Sequence, residues 1–125
     1  MLFRSLGFPH VNEGMIITQE EADKIFMDDA VIFENKVKRM VTIALNQNQF
    51  DALVCMCYNV STAHFKEMLD ISELNKGNYY NVPDAMMHYN VSAGRILKGL
   101  TRRRKLEGKL FSTPIGGDLS FLNDA

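Results

Sequence analysis

Apolar residues recur at Ala22, Ile25, Phe26, Ala30, Phe33, Val37 and Met40, spacings that line one face of a helix. Thr18 followed by Glu21 has the spacing of a capping box at its start. The pattern predicts an amphipathic helix over 18–43, either continuous or made of two pieces joined near Glu34 to Lys36. Asp23, Lys24, Asp28, Lys36 and Lys38 fall on its polar side.

From Gln47 to Val60 the one-sided pattern is lost. Phe50, Ala52, Leu53, Val54, Cys55, Met56, Cys57 and Tyr58 surround the predicted helix with apolar or weakly polar groups. A helix apolar on all sides belongs in the middle of a bundle. Ser61 or Thr62 is placed to cap a short helix through Leu69, and Ile71 to Lys76 reads as helical up to a stop at Gly77. Pro83 suits the first turn of a helix over Asp84 to Tyr89, which Gly94 ends. Residues 95–111 read as a connector and a last helix, with Ile96, Leu97, Leu100, Leu106, Leu110 and Phe111 as its apolar positions. The tail, with Pro114, Gly116 and Gly117, is expected to be irregular. No stretch shows a convincing period of two, although Leu2 to Phe8 is short and apolar enough for a strand. The expected fold class is mainly α, a helical bundle around one buried central helix.

Composition agrees with a globular fold. The chain has 125 residues, the size of one domain, and 46% of them are apolar, enough to bury a core. A net charge of −1 gives no global attraction to nucleic acid or to an anionic membrane. The apolar runs are far short of the roughly 20 residues that span a bilayer, and no export signal is legible in MLFRSLGFPH. Cys55 and Cys57 point roughly 200° apart around a helix, so reduced buried thiols are expected rather than a disulfide. No metal site is expected, because none of the three histidines completes a recognised ligand spacing, and no cofactor is implied. The eight methionines are read as core fillers.

Three blocks carry a family resemblance. LNQNQFDALVCMCYNV, Leu45 to Val60, closely resembles the central helix of phage-type lysozymes (endolysins). SAGRILKGLTRRRKLEGKLF, Ser92 to Phe111, is similar to the Gly-Leu, Arg-Arg and glutamate pattern that closes the same fold. LGFPH followed by GMIITQEEA resembles the Gly-Tyr-Gly-His turn and the Ile-Thr cap that open the family's interlobe helix, with Pro9 in place of a glycine. The blocks follow family order from Leu6 to Phe111. The resemblance implies an α+β lysozyme-like fold whose N-terminal hairpin lobe is mostly missing here. It divides a single domain, 1–125, into a hairpin remnant (1–17), an interlobe helix (18–43), a helical lobe (44–111) and a tail (112–125).

The resemblance also implies muramidase chemistry on peptidoglycan glycan strands and a phage or prophage origin. Members carry a catalytic Glu, then an Asp or Cys and a Thr, all before the glycine-rich turn. Only six residues precede Gly7, so the Glu and Asp have no counterpart here, Ser5 falls where the Thr stands, and the chain as given is expected to be inactive. General acid catalysis contributes about 10² to 10⁴ in rate. Glu13 is the carboxylate nearest in sequence to the lost hairpin and the one substitute considered, although its Asn-Glu-Gly turn is expected to face water. By the same resemblance Asn59 offers a cleft amide to an N-acetyl sugar, with a plain helix-terminal asparagine as the alternative. Arg102 or Arg103 matches the partner of the catalytic Glu, and His10 matches the histidine that braces the turn. His64 and His88 are read as packing or surface residues.

Arg95, Lys98, Arg102, Arg103, Arg104, Lys105 and Lys109 are half of the fourteen Lys and Arg, with Glu107 the only acid among them. A nucleic-acid-binding helix is one reading of this run. The periodic leucines favour a solvated face, and the run would also attract an anionic bacterial wall. The main alternative to an endolysin is a non-catalytic lysozyme-like protein that binds peptidoglycan or a protein partner. Loss of the N-terminal lobe is expected to favour self-association, or to require a segment from another chain. The expected location is the host bacterial cytoplasm, with action on the wall after release.

Overall fold

The computed structural model describes the backbone of residues 19–124 and the side chains of residues 30–122. Helix α1, Gln19–Met40, is one continuous helix of 22 residues, so the alternative of two joined pieces is not adopted. Lys38 and Arg39 lie in its last turn, where cations favour the negative end of the helix dipole. Ala30, Val37 and, just beyond, Val41 are buried, while Phe33 and Met40 are partly so. Thr18 and its cap lie outside the described residues, as do the side chains of Ala22, Ile25 and Phe26.

Helix α2, Gln47–Asn59, opens on a capping box. The Asn46 side chain accepts from the Gln49 backbone N–H at 2.8 Å, and the Gln49 side chain accepts from the Asn46 N–H at 2.9 Å. These two bonds satisfy donors that a helix start otherwise leaves open. Asn followed three residues later by Gln is the sequence signal of this cap. All of Ala52 to Cys57 is buried, so this is the central helix. It packs against α1 on one side and α5, Lys98–Ser112, on another. Asn48, also buried, donates to the Thr113 carbonyl at 2.9 Å and ties the start of α2 to the end of α5.

Helix α3, Thr62–Ser72, is capped by Ser61, whose hydroxyl accepts from the His64 N–H at 3.1 Å. The α-helix ends at Glu73, which adopts a left-handed conformation (φ 56°). The chain then tightens into a 3₁₀ turn, Leu74–Lys76, before Gly77 at φ 94°. Helical character thus reaches Lys76 as expected, with a break inside it. Another 3₁₀ turn, Tyr79–Asn81, leads into α4, Val82–Met86, with Pro83 in its first turn, and Met87–Tyr89 continues as 3₁₀. Phe65, Met68, Leu74, Val82 and Met86 join Leu53, Met56 and Leu110 in the core.

A short hairpin follows, and its second strand takes up the start of the 95–111 segment expected to be a connector and a last helix. Strands β1, Val91–Ser92, and β2, Arg95–Ile96, pair antiparallel with Val91 opposite Ile96. Ala93 (φ 51°) and Gly94 (φ 78°) make the reversal, and two left-handed residues in succession suit a tight hairpin turn. Two-residue strands are too short to display a period of two. The tail is likewise less loose than expected, because Leu122 is buried and Ser120–Asp124 forms a 3₁₀ turn.

Candidate functional site

Asn59 is the last residue of α2 and Arg103 lies in the second turn of α5, so the packing of those two helices decides whether they meet. They do. Arg103 donates from an Nη to the Asn59 side-chain oxygen at 2.8 Å. The Asn59 amide nitrogen donates in turn to the Cys55 carbonyl at 3.2 Å, one helical turn back. Asn59 is therefore both a helix-terminal residue and the acceptor of a long-range contact. Burial lowers the pKa of the Arg103 guanidinium, and the nearby charge of Glu107 opposes that shift.

Other elements converge beside this pair. Tyr58 meets Phe33 of α1 edge-on, with centroids 5.2 Å apart and planes at 78°. Lys36 sits 5.0 Å over the Phe33 ring and donates to the Thr62 hydroxyl at 3.1 Å. The ends of α1 and α2, the start of α3 and the arginine run of α5 thus share one neighbourhood, presenting a half-buried amide, a half-buried cation and two aromatic rings.

Three consecutive arginines have three environments, as steps of about 100° around a helix require. Arg102 is exposed, Arg103 reaches Asn59, and Arg104 is 1% exposed. Arg104 forms an ion pair with the equally buried Glu107, Nε to Oε1 at 2.7 Å and Nη to Oε2 at 2.9 Å. Reading the basic run as a solvated face is corrected at this residue, since its charge is neutralised inside the fold. The Arg-x-x-Glu spacing, which puts both side chains on one face, was the available signal. Burial raises the Glu107 carboxyl to about 7, against the opposing pull of Arg104 and then Arg103. This carboxylate is buried among helices, away from any surface a polymer can reach.

Ser5, His10 and Glu13 lie outside the described residues. His88 is exposed and His64 tilts over the Tyr89 ring at 5.6 Å, on the α3 and α4 side of the fold. Cys55 and Cys57 are buried and unbridged, and burial raises the pKa of both thiols. Among the described residues no group of three or more His, Cys, Asp or Glu is arranged to hold a metal ion, and no helix is long and apolar enough to cross a membrane.

The family model for phage lysozyme matches residues 5–107, most of the chain, with Asn59 and Arg103 inside the match. The chain belongs to the phage lysozyme family. It is 33% identical over 101 residues to the endolysin of Salmonella phage P22, covering 81% of this chain and 68% of that protein. It is 32% identical over 115 residues to the endolysin of Bacillus phage B103, covering 89% of this chain but 44% of that one. The chain thus spans less than half the length of this Bacillus phage relative. Among solved structures, the muramidase domain of SpmX from Asticaccaulis excentricus superposes with a TM-score of 0.72 at 33% identity, over 83% of this chain and 74% of that one. The endolysin from Escherichia coli O157:H7 phage FAHEc1 gives 0.69 at 30% identity, over 82% and 67%. The mainly helical, lysozyme-like fold expected from the three sequence blocks is the fold this phage lysozyme relative adopts.

Proposed function

We propose that this phage lysozyme domain grips the glycan strand of peptidoglycan, with Asn59 and Arg103 at the cleft of a muramidase. The observation that carries the reading is the 2.8 Å bond between them, since the family resemblance assigns one to the sugar and the other to the catalytic acid. With its oxygen held by Arg103 and one amide hydrogen directed at Cys55, the Asn59 side chain retains a second hydrogen for an N-acetyl carbonyl. Arg103 carries five N–H donors in a fixed fork, the geometry that suits a carboxylate.

Neither group supplies a proton at neutral pH. Glycosidic cleavage needs a carboxyl to protonate the leaving oxygen and a second group on the opposite face of the sugar. Glu107 is unsuited, being wholly buried against Arg104. In this reading the acid is supplied from outside these helices, His10 and Ser5 belong to the same cleft on the resemblance alone, and the protein is made inside the host bacterium and acts on the wall once released.

The test pairs sedimentation with purified peptidoglycan with dye release from labelled peptidoglycan. The protein is expected to sediment, and R103A and N59A to weaken binding about tenfold, the scale of losing a hydrogen bond to a charged group. H88A, at an exposed site elsewhere, is expected to bind normally. Unchanged binding by R103A and N59A would overturn the reading. Binding without dye release assigns a binding role to these residues, and dye release that appears only at high protein concentration marks an acid supplied by a second chain.

A further inference from the structure

The outward face of α5 and the β1–β2 hairpin share a feature that glycan binding does not use. A groove of about 500 Å³ has an apolar floor of Ile96, Leu106 and Phe121 and a rim of Lys98, Lys105 and Lys109. The three lysines are spaced by seven and four residues, which places them on one side of the helix. The single acid on this stretch of helix, Glu107, is buried against Arg104, and of the rim lysines Lys109 has Asp118 of the tail nearby, so the rim is cationic on balance. Lys109 stands 4.6 Å over the Phe121 ring, so part of the floor is already covered by a cation.

The hairpin adds the second component. Val91 and Ile96 are paired across the strands, which sends both side chains to the same side. They are 49% and 71% exposed, and the adjoining Leu97 is 41% exposed. Exposed β-branched side chains beside a cationic helix face form an amphipathic edge, apolar at the tip and basic behind it.

We propose that this edge docks the protein on an anionic phospholipid surface. Val91 and Ile96 enter the headgroup layer, and Lys98, Lys105 and Lys109 lie against lipid phosphates. Lysines near such a surface are drawn to it electrostatically, so three of them with two apolar side chains give reversible binding without insertion of a helix. A hydrophilic polyanion such as a wall phosphate polymer or nucleic acid complements the lysines but leaves Val91 and Ile96 in water. The lipid surface is the occupant that matches both halves of the patch.

The full chain is tested by co-sedimentation with vesicles rich in phosphatidylglycerol and with pure phosphatidylcholine vesicles. Binding is expected only to the former and is expected to weaken as salt is raised. K105E/K109E should lower partitioning more than about tenfold. I96S should lower it about fivefold to tenfold, and both variants should melt at the wild-type temperature because the residues are exposed. Absence of binding to the anionic vesicles overturns the proposal. So does wild-type partitioning by I96S, which would leave charge as the sole attraction, or tighter binding to free poly(glycerol phosphate) than to vesicles at equal phosphate. None of these readouts depends on glycan binding.

Discussion

Arg103 and Asn59 are 44 residues apart in the chain and 2.8 Å apart in the fold. The bond joins the C-terminal end of the buried helix to the arginine run of the last helix, and the Asn59 amide is tied back to Cys55 at the same time. A side chain held from both sides presents a fixed donor geometry, which recognition of an N-acetyl sugar requires.

Replacing Asn59 removes one acceptor of a half-buried guanidinium. N59A is expected to cost about 1.5 to 3 kcal/mol, the range for hydrogen bonds to charged groups. Urea unfolding with an unchanged slope checks this. A loss below about 0.5 kcal/mol would show that Arg103 does not depend on the contact for its solvation.

The Arg104–Glu107 pair should respond differently to single and to double replacement. E107A strands a buried cation and R104M strands a buried carboxylate, each expected to cost about 3 to 5 kcal/mol. The double variant R104M/E107L replaces the pair with apolar volume and is expected to recover most of that loss, because desolvating both charges offsets much of their attraction. A double-mutant cycle by chemical denaturation measures the coupling. Additive losses in the double variant would contradict the pairing.

A pH dependence follows from the same carboxyl. Glu107 titrates near 7 in the folded protein against an ordinary value of 4.5, owing first to burial. Between those values the folded state holds a proton that the unfolded state has released, so this group makes stability fall as pH rises from about 4.5 through 7, then level off. E107Q keeps an oxygen for Arg104 without burying a negative charge. It is expected to flatten that slope and to cost far less than E107A. Unfolding free energies measured across this range, with a slope equal in E107Q and wild type, would contradict the assignment.

The helices were legible where burial is lopsided or total. The one-sided spacing from Ala30 to Met40 gave α1, and the all-round apolar run from Ala52 to Cys57 gave the central helix. The hairpin was not legible, because two residues per strand cannot show alternation. Asn59 and either of two arginines come from the resemblance, whereas the contact between Asn59 and Arg103 comes from the packing of two helices far apart in the chain. The same step hid Arg104, since a run of like charges does not reveal which member turns inward until the neighbouring helices are in place.

Two glycines of α5 should behave oppositely. Gly99 has open space where a side chain would go, so G99A is expected to stabilise by about 0.5 to 1 kcal/mol through helix propensity. A Cβ on Gly108 would stand 3.1 Å from Pro83 Cβ and 3.4 Å from its Cα, so the buried approach of α5 to α4 leaves no room for bulk. G108L is expected to lose about 1 to 3 kcal/mol from overpacking. Thermal melts of both variants check the contrast, and a wild-type melting point for G108L would show that α4 can yield.

The proposed function depends on the Asn59–Arg103 pair facing the glycan. Its most direct measurement is a titration of the isotopically labelled protein with an N-acetylglucosamine tetrasaccharide, following the side-chain amide of Asn59 and the guanidinium signals of Arg103 by NMR. These resonances are expected to shift together and saturably, while those of the exposed His88 are expected to stay in place. Shifts confined to other faces, with Asn59 and Arg103 unmoved at saturation, would contradict it.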